Sequence, residues 1–188
     1  AFKDQKQLVV ARDTFIKLGY TVVMFDTTNS FGKSEGKYED ATLTQYYEDL
    51  VDVINWSKTQ EWFKKDISLC GFSFGGYSVI KYAEDYPEEV EMVIPIGPII
   101  SGKLSLETWK KLKPDELNEW KTSGWNETKS NSKPGLVKRL PWSHMEDRLK
   151  HDLYDHIFRL YKPIFFIASG VDTSVPLDVV RDFYNEVP

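Results

Sequence analysis

The chain has 188 residues, of which 41% are hydrophobic and 14% aromatic, a composition typical of a globular domain with a sizeable core. Its formal charge of -5 offers no basic face for nucleic acid, and no apolar run reaches the ~20 residues that a membrane-spanning helix needs. The single cysteine excludes an internal disulfide and a cysteine-based zinc cluster, and the polar first residues do not resemble a signal peptide, so we expect a cytoplasmic protein.

The first part of the chain alternates between helical and strand patterns. Apolar residues at helical spacing run from Leu8 to Leu18, and residues 20–25 (YTVVMF) form a continuous β-rich run typical of a strand buried on both faces. After a polar, glycine-bearing loop, Thr42 and Gln45 have the spacing of a capping box, which predicts the start of a second helix.

The same alternation continues to the end of the chain, with one interruption. Residues 67–70 predict a short strand, and residues 74–86 predict a helix that ends before a proline. Residues 90–96 and 163–168 (PIFFIA) predict two more strands, and residues 176–187 a closing helix. Alternating strands and helices predict an α/β fold, a mostly parallel sheet with helices on both faces.

Residues 101–161 interrupt this alternation. The segment is rich in Lys, Glu, Ser and Asn and shows no strand pattern, and at about 60 residues it is too long for a plain loop in a compact domain. We therefore predict a helical cap at 101–161, inserted into a core formed by 1–100 and 162–188. Its tryptophans either line an apolar pocket above the site, with Trp142 as a candidate, or form the small core that holds the cap together. Four of the six tryptophans lie here: Trp109, Trp120, Trp125 and Trp142.

Residues 71–75 (GFSFG) contain the candidate catalytic nucleophile. A Gly-x-Ser-x-Gly pattern between a strand and a helix is typical of a nucleophile elbow, in which a sharp turn lifts the serine hydroxyl above the sheet. Ser73 is thus the candidate nucleophile, and the backbone N–H of Phe74 is the candidate donor to the oxyanion of a tetrahedral intermediate. The alternative is a glycine-rich turn without a catalytic role.

On these residues the chain resembles the α/β-hydrolase superfamily, and within it the capped serine esterase and serine aminopeptidase-like group. Residues 26–36 are similar to the loop after that group's fourth strand, and residues 71–76 are similar to its elbow. Residues 169–176 (SGVDTSVP) are similar to the segment after the seventh strand, whose aspartate is the acid of the triad. The resemblance implies Asp172 as this acid, with Asp178 as the second choice. A helix N-cap is the alternative role for Asp172, and the two roles are compatible.

A serine hydroxyl needs a base, and in this fold the catalytic histidine follows the acid along the chain. No histidine follows Asp172 in the printed chain. His144, His151 and His156 all precede it, and we expect each to be a solvated or locally paired surface residue. His144, close to Trp142 in sequence, is the one we expect could reach a substrate pocket.

The resemblance also implies that parts of the core lie outside the printed residues. The second oxyanion donor is expected upstream of Ala1. A further strand outside the printed residues is expected to lie, within the sheet, between the strands formed by 20–25 and 67–70. We therefore expect a hydrolase core that is incomplete at both ends.

Together these features predict a serine hydrolase that cleaves carboxylic esters through an acyl-enzyme. Ser73 attacks the acyl carbon, Asp172 orients a histidine outside the printed chain, and Phe74 N–H holds the oxyanion. This chemistry requires a small-molecule ester or acyl substrate and no metal or organic cofactor. The alternatives are acyl-peptide, aminopeptidase or thioester hydrolysis on the same fold, or a non-catalytic binding protein that lacks the base. The sequence predicts neither the substrate nor the oligomeric state.

Overall fold

The computed structural model describes residues 2–130 and 133–188, in which helices and short strands form the regular structure. Short 3-10 helices lie at Tyr38–Asp40, Pro87–Glu89 and Leu153–Arg159. The helices are α1 (Lys6–Lys17), α2 (Leu43–Ser57), α3 (Phe74–Asp85), α4 (Gly102–Leu112), α5 (Pro114–Ser123), α6 (Trp142–Arg148) and α7 (Leu177–Glu186), and the strands are β1 (Ile67–Phe72), β2 (Val90–Ile96), β3 (Trp125–Lys129) and β4 (Val137–Pro141). Nowhere in the two described ranges is a helix long and apolar enough to cross a membrane.

The central sheet is parallel, as predicted. β1 pairs with β2 from Ile67↔Val90 to Phe72↔Ile96. Residues 163–168 continue this sheet beyond β2 through two isolated parallel bridges, Val93↔Ile164 and Ile96↔Ile167. The carboxyl ends of these three segments therefore lie at one edge of the sheet, where open α/β sheets place their binding sites.

Residues 20–25 do not form the predicted strand. They lie outside every strand ladder, and Tyr20 and Val23 are more than a third exposed, so the segment is not buried on both faces. The β-branched and aromatic side chains favour a strand, but a strand needs a hydrogen-bonded neighbour, and none of the described residues pairs with this segment. The prediction for 163–168 is met only in part, because the segment forms isolated bridges and not a continuous strand.

The start of α2 shows half of the predicted capping box. The Gln45 N–H donates to Thr42 Oγ1 at 3.0 Å, while the Gln45 side-chain amide donates to Asp49 at 3.0 Å and not back to residue 42. The first backbone N–H groups of α2 are bound instead by Asp147 of α6, which accepts from Leu43 N at 2.8 Å. A carboxylate at a helix N-terminus accepts hydrogen bonds from the free N–H donors and interacts favourably with the positive end of the helix dipole. This contact fixes α6 to the N-terminus of α2.

The hydrophobic core lies between the sheet and its helices. α3 packs against both central strands, and α2 packs on α3. Ile80 of α3, Val93 of β2 and Phe183 of α7 are fully buried in one cluster. The helix that begins at the elbow, α3, is therefore packed against both central strands and against α2.

The segment at 101–161 is not wholly helical as predicted. β3 and β4 form an antiparallel hairpin within it, with Glu127 paired to Arg139 and their side chains 3.0 Å apart. The hairpin is held by charged and cation–π contacts, including Arg139 at 3.7 Å from the Trp125 ring centre, and so it lacks the apolar alternation by which strands are recognised. The division into core and cap at these boundaries stays a prediction.

Candidate active site

Ser73 occupies a strained turn between β1 and α3. Its backbone has φ 57° and ψ -113°, a region that a non-glycine residue adopts at a cost of about 1–3 kcal/mol. The Ser73 N–H donates to the carbonyl of Ile96 at 2.9 Å, which ties the turn to the end of β2. The serine therefore lies at the carboxyl edge of the sheet, as an elbow requires.

Close backbone packing explains two of the glycines around this serine. A Cβ on Gly71 would lie 2.1 Å from the carbonyl oxygen of Gly75, and a Cβ on Gly76 would lie 3.0 Å from Pro98 Cα. A Cβ on Gly75 would contact nothing within 4 Å. The steric need for glycine thus falls on positions 71 and 76, and not on the second glycine of the five-residue pattern.

The Ser73 hydroxyl and the Phe74 N–H are both available for a substrate. Within the described part of the chain, neither group has a hydrogen-bond partner. Phe74 is the first residue of the 12-residue helix α3, so its N–H is one of the unsatisfied donors at the positive end of the helix dipole. A developing negative charge beside Ser73 would be stabilised there.

Ser73 and Phe74 line a cavity of about 140 Å³. Its wall is mostly aromatic, and its only charged side chain is Lys138 of β4. Phe31 and Tyr38 stack in parallel on this wall, with ring centres 4.2 Å apart. The other lining residues are Phe2, Gln5, Ala41, Tyr46, Phe72 and His144.

His144 is buried, which corrects the prediction of a surface histidine. Its side chain is 1% exposed, and Nδ1–H donates to the carbonyl of Ala41 at 2.7 Å. Nε2 accepts from an Arg148 N–H at 2.9 Å, so both ring nitrogens are occupied. Burial, together with the charge of Arg148, lowers the pKa of His144 to about 4. A neutral ring thus forms part of the cavity wall, and its stacking on Phe74, at 5.3 Å between centres, connects it to the elbow.

Arg148 is the residue that sequence reasoning missed. It is buried behind Phe74, its guanidinium carbon lies 4.9 Å from that ring's centre, and Nη1–H donates to Ser105 at 2.7 Å. No carboxylate forms an ion pair with it within the described ranges, and its Nε has no partner there. Burial lowers the pKa of its guanidinium to about 10. Its spacing of four residues from His144, within a segment predicted to be helical overall, was the only available signal.

The other two histidines do not contact Ser73. His151 lies between Thr44 Oγ1 at 2.8 Å and the Tyr77 hydroxyl at 3.0 Å, and it is only partly exposed. His156 is exposed, as predicted. None of the three histidines therefore serves as the base for Ser73 in this arrangement.

Asp172 lies at the same edge of the sheet as Ser73. Its Oδ1 accepts from the N–H groups of Ser174 at 2.7 Å and Val175 at 3.1 Å, which fixes the carboxyl group in a tight turn. A Cβ on Gly97 would lie 3.7 Å from Asp172 Oδ2, so the second oxygen is close to the residue that directly follows β2. The alternative role as a helix N-cap is not seen, because these bonds close the turn before α7 and do not reach the first turn of α7 itself.

Asp178 is placed less favourably than Asp172. It is exposed on α7, and its carboxylate accepts from the adjacent Val179 N–H at 3.0 Å.

Trp142 is not among the residues that line the Ser73 cavity, contrary to the pocket prediction. Its ring packs edge-to-face on buried Trp120 at 5.5 Å and lies under the ammonium group of Lys121. Trp142 therefore belongs to an aromatic cluster within residues 101–161.

The described ranges contain no group of three or more His, Cys, Asp or Glu side chains that could hold a metal ion. The groups that the structure places at one edge of the parallel sheet are a serine hydroxyl, a helix N-terminus and an aspartate.

Comparison with known proteins relates this arrangement to hydrolases. The family model described as X-Pro dipeptidyl-peptidase (S15 family) matches residues 2–137. An uncharacterized 31.7 kDa protein of Escherichia coli, from the traX-finO intergenic region, is 21% identical over 93% of this chain and 70% of its own length.

Solved structures show the same fold. Est1E from Butyrivibrio proteoclasticus, solved with ferulic acid bound, has a TM-score of 0.76 at 20% identity, covering 98% of this chain and 71% of that one. Alpha/beta hydrolase domain-containing protein 10 from mouse has a TM-score of 0.75 at 20% identity, with the same coverage of 98% and 71%. The fold is therefore that of the α/β-hydrolases.

Proposed function

We propose that this chain, which belongs to the X-Pro dipeptidyl-peptidase (S15) family, is a serine hydrolase that cleaves carboxylic esters through an acyl-enzyme intermediate. The observation that carries this proposal is the turn at Ser73. Its strained backbone, its unbonded hydroxyl and its place on a cavity wall at the start of α3 are the features that a nucleophilic serine needs.

In the proposed mechanism, Ser73 Oγ attacks the acyl carbon and its proton passes to a histidine base. The tetrahedral oxyanion is held by the Phe74 N–H together with the helix dipole of α3. Collapse of this intermediate expels the alcohol, which receives the proton from the histidine, and leaves an acyl group on Ser73. Water activated by the same base then releases the acid.

The base in this mechanism is a histidine other than the three at 144, 151 and 156. His144 donates to Ala41 and accepts from Arg148, so it has no free nitrogen to receive the serine proton. We propose that Asp172 orients the base, since its carboxylate is fixed in a tight turn at the edge of the sheet where Ser73 lies.

Cleavage of a peptide bond is the second candidate, and the family match favours it. A dipeptidyl-peptidase would use the same serine and the same oxyanion donor but would bind a peptide N-terminus. The two candidates therefore differ in the substrate that the cavity accepts and not in the catalytic groups.

Labelling with a fluorophosphonate probe tests the assignment of Ser73. In the full-length protein we expect labelling of wild type, no labelling of Ser73→Ala, and wild-type labelling of Ser143→Ala, a matched change at an exposed serine. Hydrolysis of a short p-nitrophenyl ester should fall by a factor on the order of 10³ or more in Ser73→Ala. Labelling that persists in Ser73→Ala, or a wild type that neither reacts nor hydrolyses, would overturn the proposal.

A further inference from the structure

The cavity beside Ser73 carries a positive charge that no carboxylate neutralises. Lys138 is half-buried and lines the cavity, and within the described part of the chain its ammonium group makes neither an ion pair nor a hydrogen bond. Its neighbour Arg139, which alternates to the other face of β4, is paired with Glu127 at 3.0 Å. The two basic residues of this strand thus have different surroundings, and only the cavity-facing one is left without an anion.

A second cation lies behind the same wall. Arg148 donates to His144 at 2.9 Å and lies on the Phe74 ring, and both of these residues line the cavity. The neutral His144 does not cancel its charge. Two cations therefore act on one small space whose lining contains no carboxylate.

Asp147 and Asp26, whose charges act on His144 and Tyr46 of the cavity wall, are bound to other donors. Asp147 accepts from the start of α2, at Leu43 N and from the Thr44 hydroxyl at 2.6 Å. Asp26 accepts from Lys3, both from its backbone N–H at 2.8 Å and from its ammonium group at 3.2 Å. These carboxylates are each stabilised locally and are not directed at the cavity by any contact of the described residues.

We propose that the cavity selects acyl groups that end in a carboxylate and rejects the protonated N-terminus of a peptide, with Lys138 as the specificity-determining residue. This inference rests on the proposed function and specifies its substrate class. A peptide α-ammonium group is cationic at neutral pH and would meet Lys138 without a carboxylate to bind it. A carboxylate would form a charge-assisted hydrogen bond with the same group, in a wall that is mostly aromatic.

Two p-nitrophenyl esters of one length test this charge preference in the full-length protein. One is the half-ester of adipic acid, which is anionic, and the other is its methyl-capped counterpart, which is neutral. We expect wild type to favour the anionic ester by about 10-fold to 100-fold in kcat/KM, the range that a hydrogen bond to a charged group supplies. We expect no cleavage of glycyl-prolyl p-nitroanilide, which carries the N-terminal ammonium group.

The variants assign the preference to one side chain. Lys138→Gln should bring the ratio of the two kcat/KM values close to one, and Lys138→Glu should reverse it. Lys129→Gln, an exposed lysine on the other strand of the same hairpin, should keep the wild-type ratio. A ratio near one in wild type, or a preference that Lys138→Gln leaves unchanged, would overturn the inference, as would faster cleavage of the dipeptide anilide than of the anionic ester.

Binding of free adipate to the Ser73→Ala variant, followed by calorimetry, separates this inference from the proposed mechanism. We expect adipate to bind and the added Lys138→Gln change to weaken binding at least 10-fold. If wild type hydrolyses no ester but adipate binding still depends on Lys138, the mechanism fails and the charge preference stands. If esters are cleaved but adipate does not bind, the charge preference fails alone.

Discussion

The buried carboxyl group of Glu84 should make the stability of this domain fall as the pH rises. Glu84 lies on α3 with 0% exposure, and neither of its carboxyl oxygens has a hydrogen-bond partner within the described residues. Burial raises its pKa to about 8, the charges of Asp85 and Asp155 act in the same direction, and Lys81 and Arg159 oppose them. The group is therefore protonated in the folded protein at neutral pH, whereas it is ionised in the unfolded chain.

The size of the effect follows from this difference in proton binding. Between the unfolded pKa of 4.5 and the folded value of about 8, the folded state holds one proton that the unfolded state has released. The contribution of Glu84 to stability is complete below pH 4.5 and is lost as the pH rises toward the folded pKa, by about 1.4 kcal/mol per pH unit. At pH 7 this amounts to about 3 kcal/mol, and Glu84→Gln, which keeps the shape and cannot ionise, should recover most of it.

Urea unfolding of the full-length protein at several pH values measures this directly. The difference in free energy of unfolding between Glu84→Gln and wild type should grow with a slope of about 1.4 kcal/mol per pH unit between pH 5.5 and 7.5. Glu48→Gln, a change at an exposed glutamate of α2, controls for the loss of one charge. Parallel stability curves for Glu84→Gln and wild type, or a variant less stable than wild type at pH 7, would refute the reasoning.

Two further predictions concern the elbow and the acid. Gly71→Ala should destabilise the protein by about 3 kcal/mol or more, because the new Cβ would lie 2.1 Å from a backbone oxygen, whereas Gly75→Ala should be neutral or stabilising in thermal melts. Equal melting temperatures for the two variants would show that the close approach at Gly71 is relieved without cost. Asp172→Asn should lower kcat for a neutral p-nitrophenyl ester by a factor on the order of 10² to 10⁴, while Asp178→Asn should leave it near wild type. An Asp172→Asn enzyme of normal activity would remove Asp172 from the mechanism.

The elbow could be predicted from the sequence because its geometry is determined locally. A strand pattern, the GFSFG pentapeptide and a helical pattern follow each other without a gap, and this succession requires a sharp turn at Ser73. The positive φ at that residue and the close packing at Gly71 are consequences of the same succession. Contacts between neighbours in sequence were sufficient here.

The strand at 20–25 and the hairpin in the cap segment could not be predicted in the same way. Propensity describes how side chains fit a pleated surface, but hydrogen-bonded pairing depends on another segment, and residues 20–25 have none in the described structure. The hairpin shows the converse, since β3 and β4 have few apolar residues and are paired through Glu127, Arg139 and Trp125. Tertiary contacts decided both outcomes.

The burial of His144 had a similar cause. A histidine beside a tryptophan in a polar segment is typical of a surface position, and the pattern of α6 alone does not indicate which of its faces meets the core. The face is fixed by the contacts of Asp147 with the start of α2 and of His144 with Ala41. Both partners are more than 100 residues away in sequence, so no local pattern contains them.

The two roles considered for the cap tryptophans, a pocket wall or a small core, are joined in the structure by one aromatic stack. Trp120 is 1% exposed and packs against Trp109 and Trp142, as a core residue does, yet its other neighbour is His144, at 6.4 Å between ring centres. His144 stacks in turn on Phe74, the residue whose N–H is the candidate oxyanion donor. The tryptophan cluster within residues 101–161 thus packs against the cavity wall through His144. His144 is neutral because its pKa is lowered to about 4, so it adds no charge to the wall. A substrate in the cavity is therefore exposed to the charge of Lys138, which lines the cavity, and to that of Arg148, which contacts the lining residues Phe74 and His144. Because Lys138 is not part of the aromatic stack, exchanging it should change substrate preference without disturbing that stack.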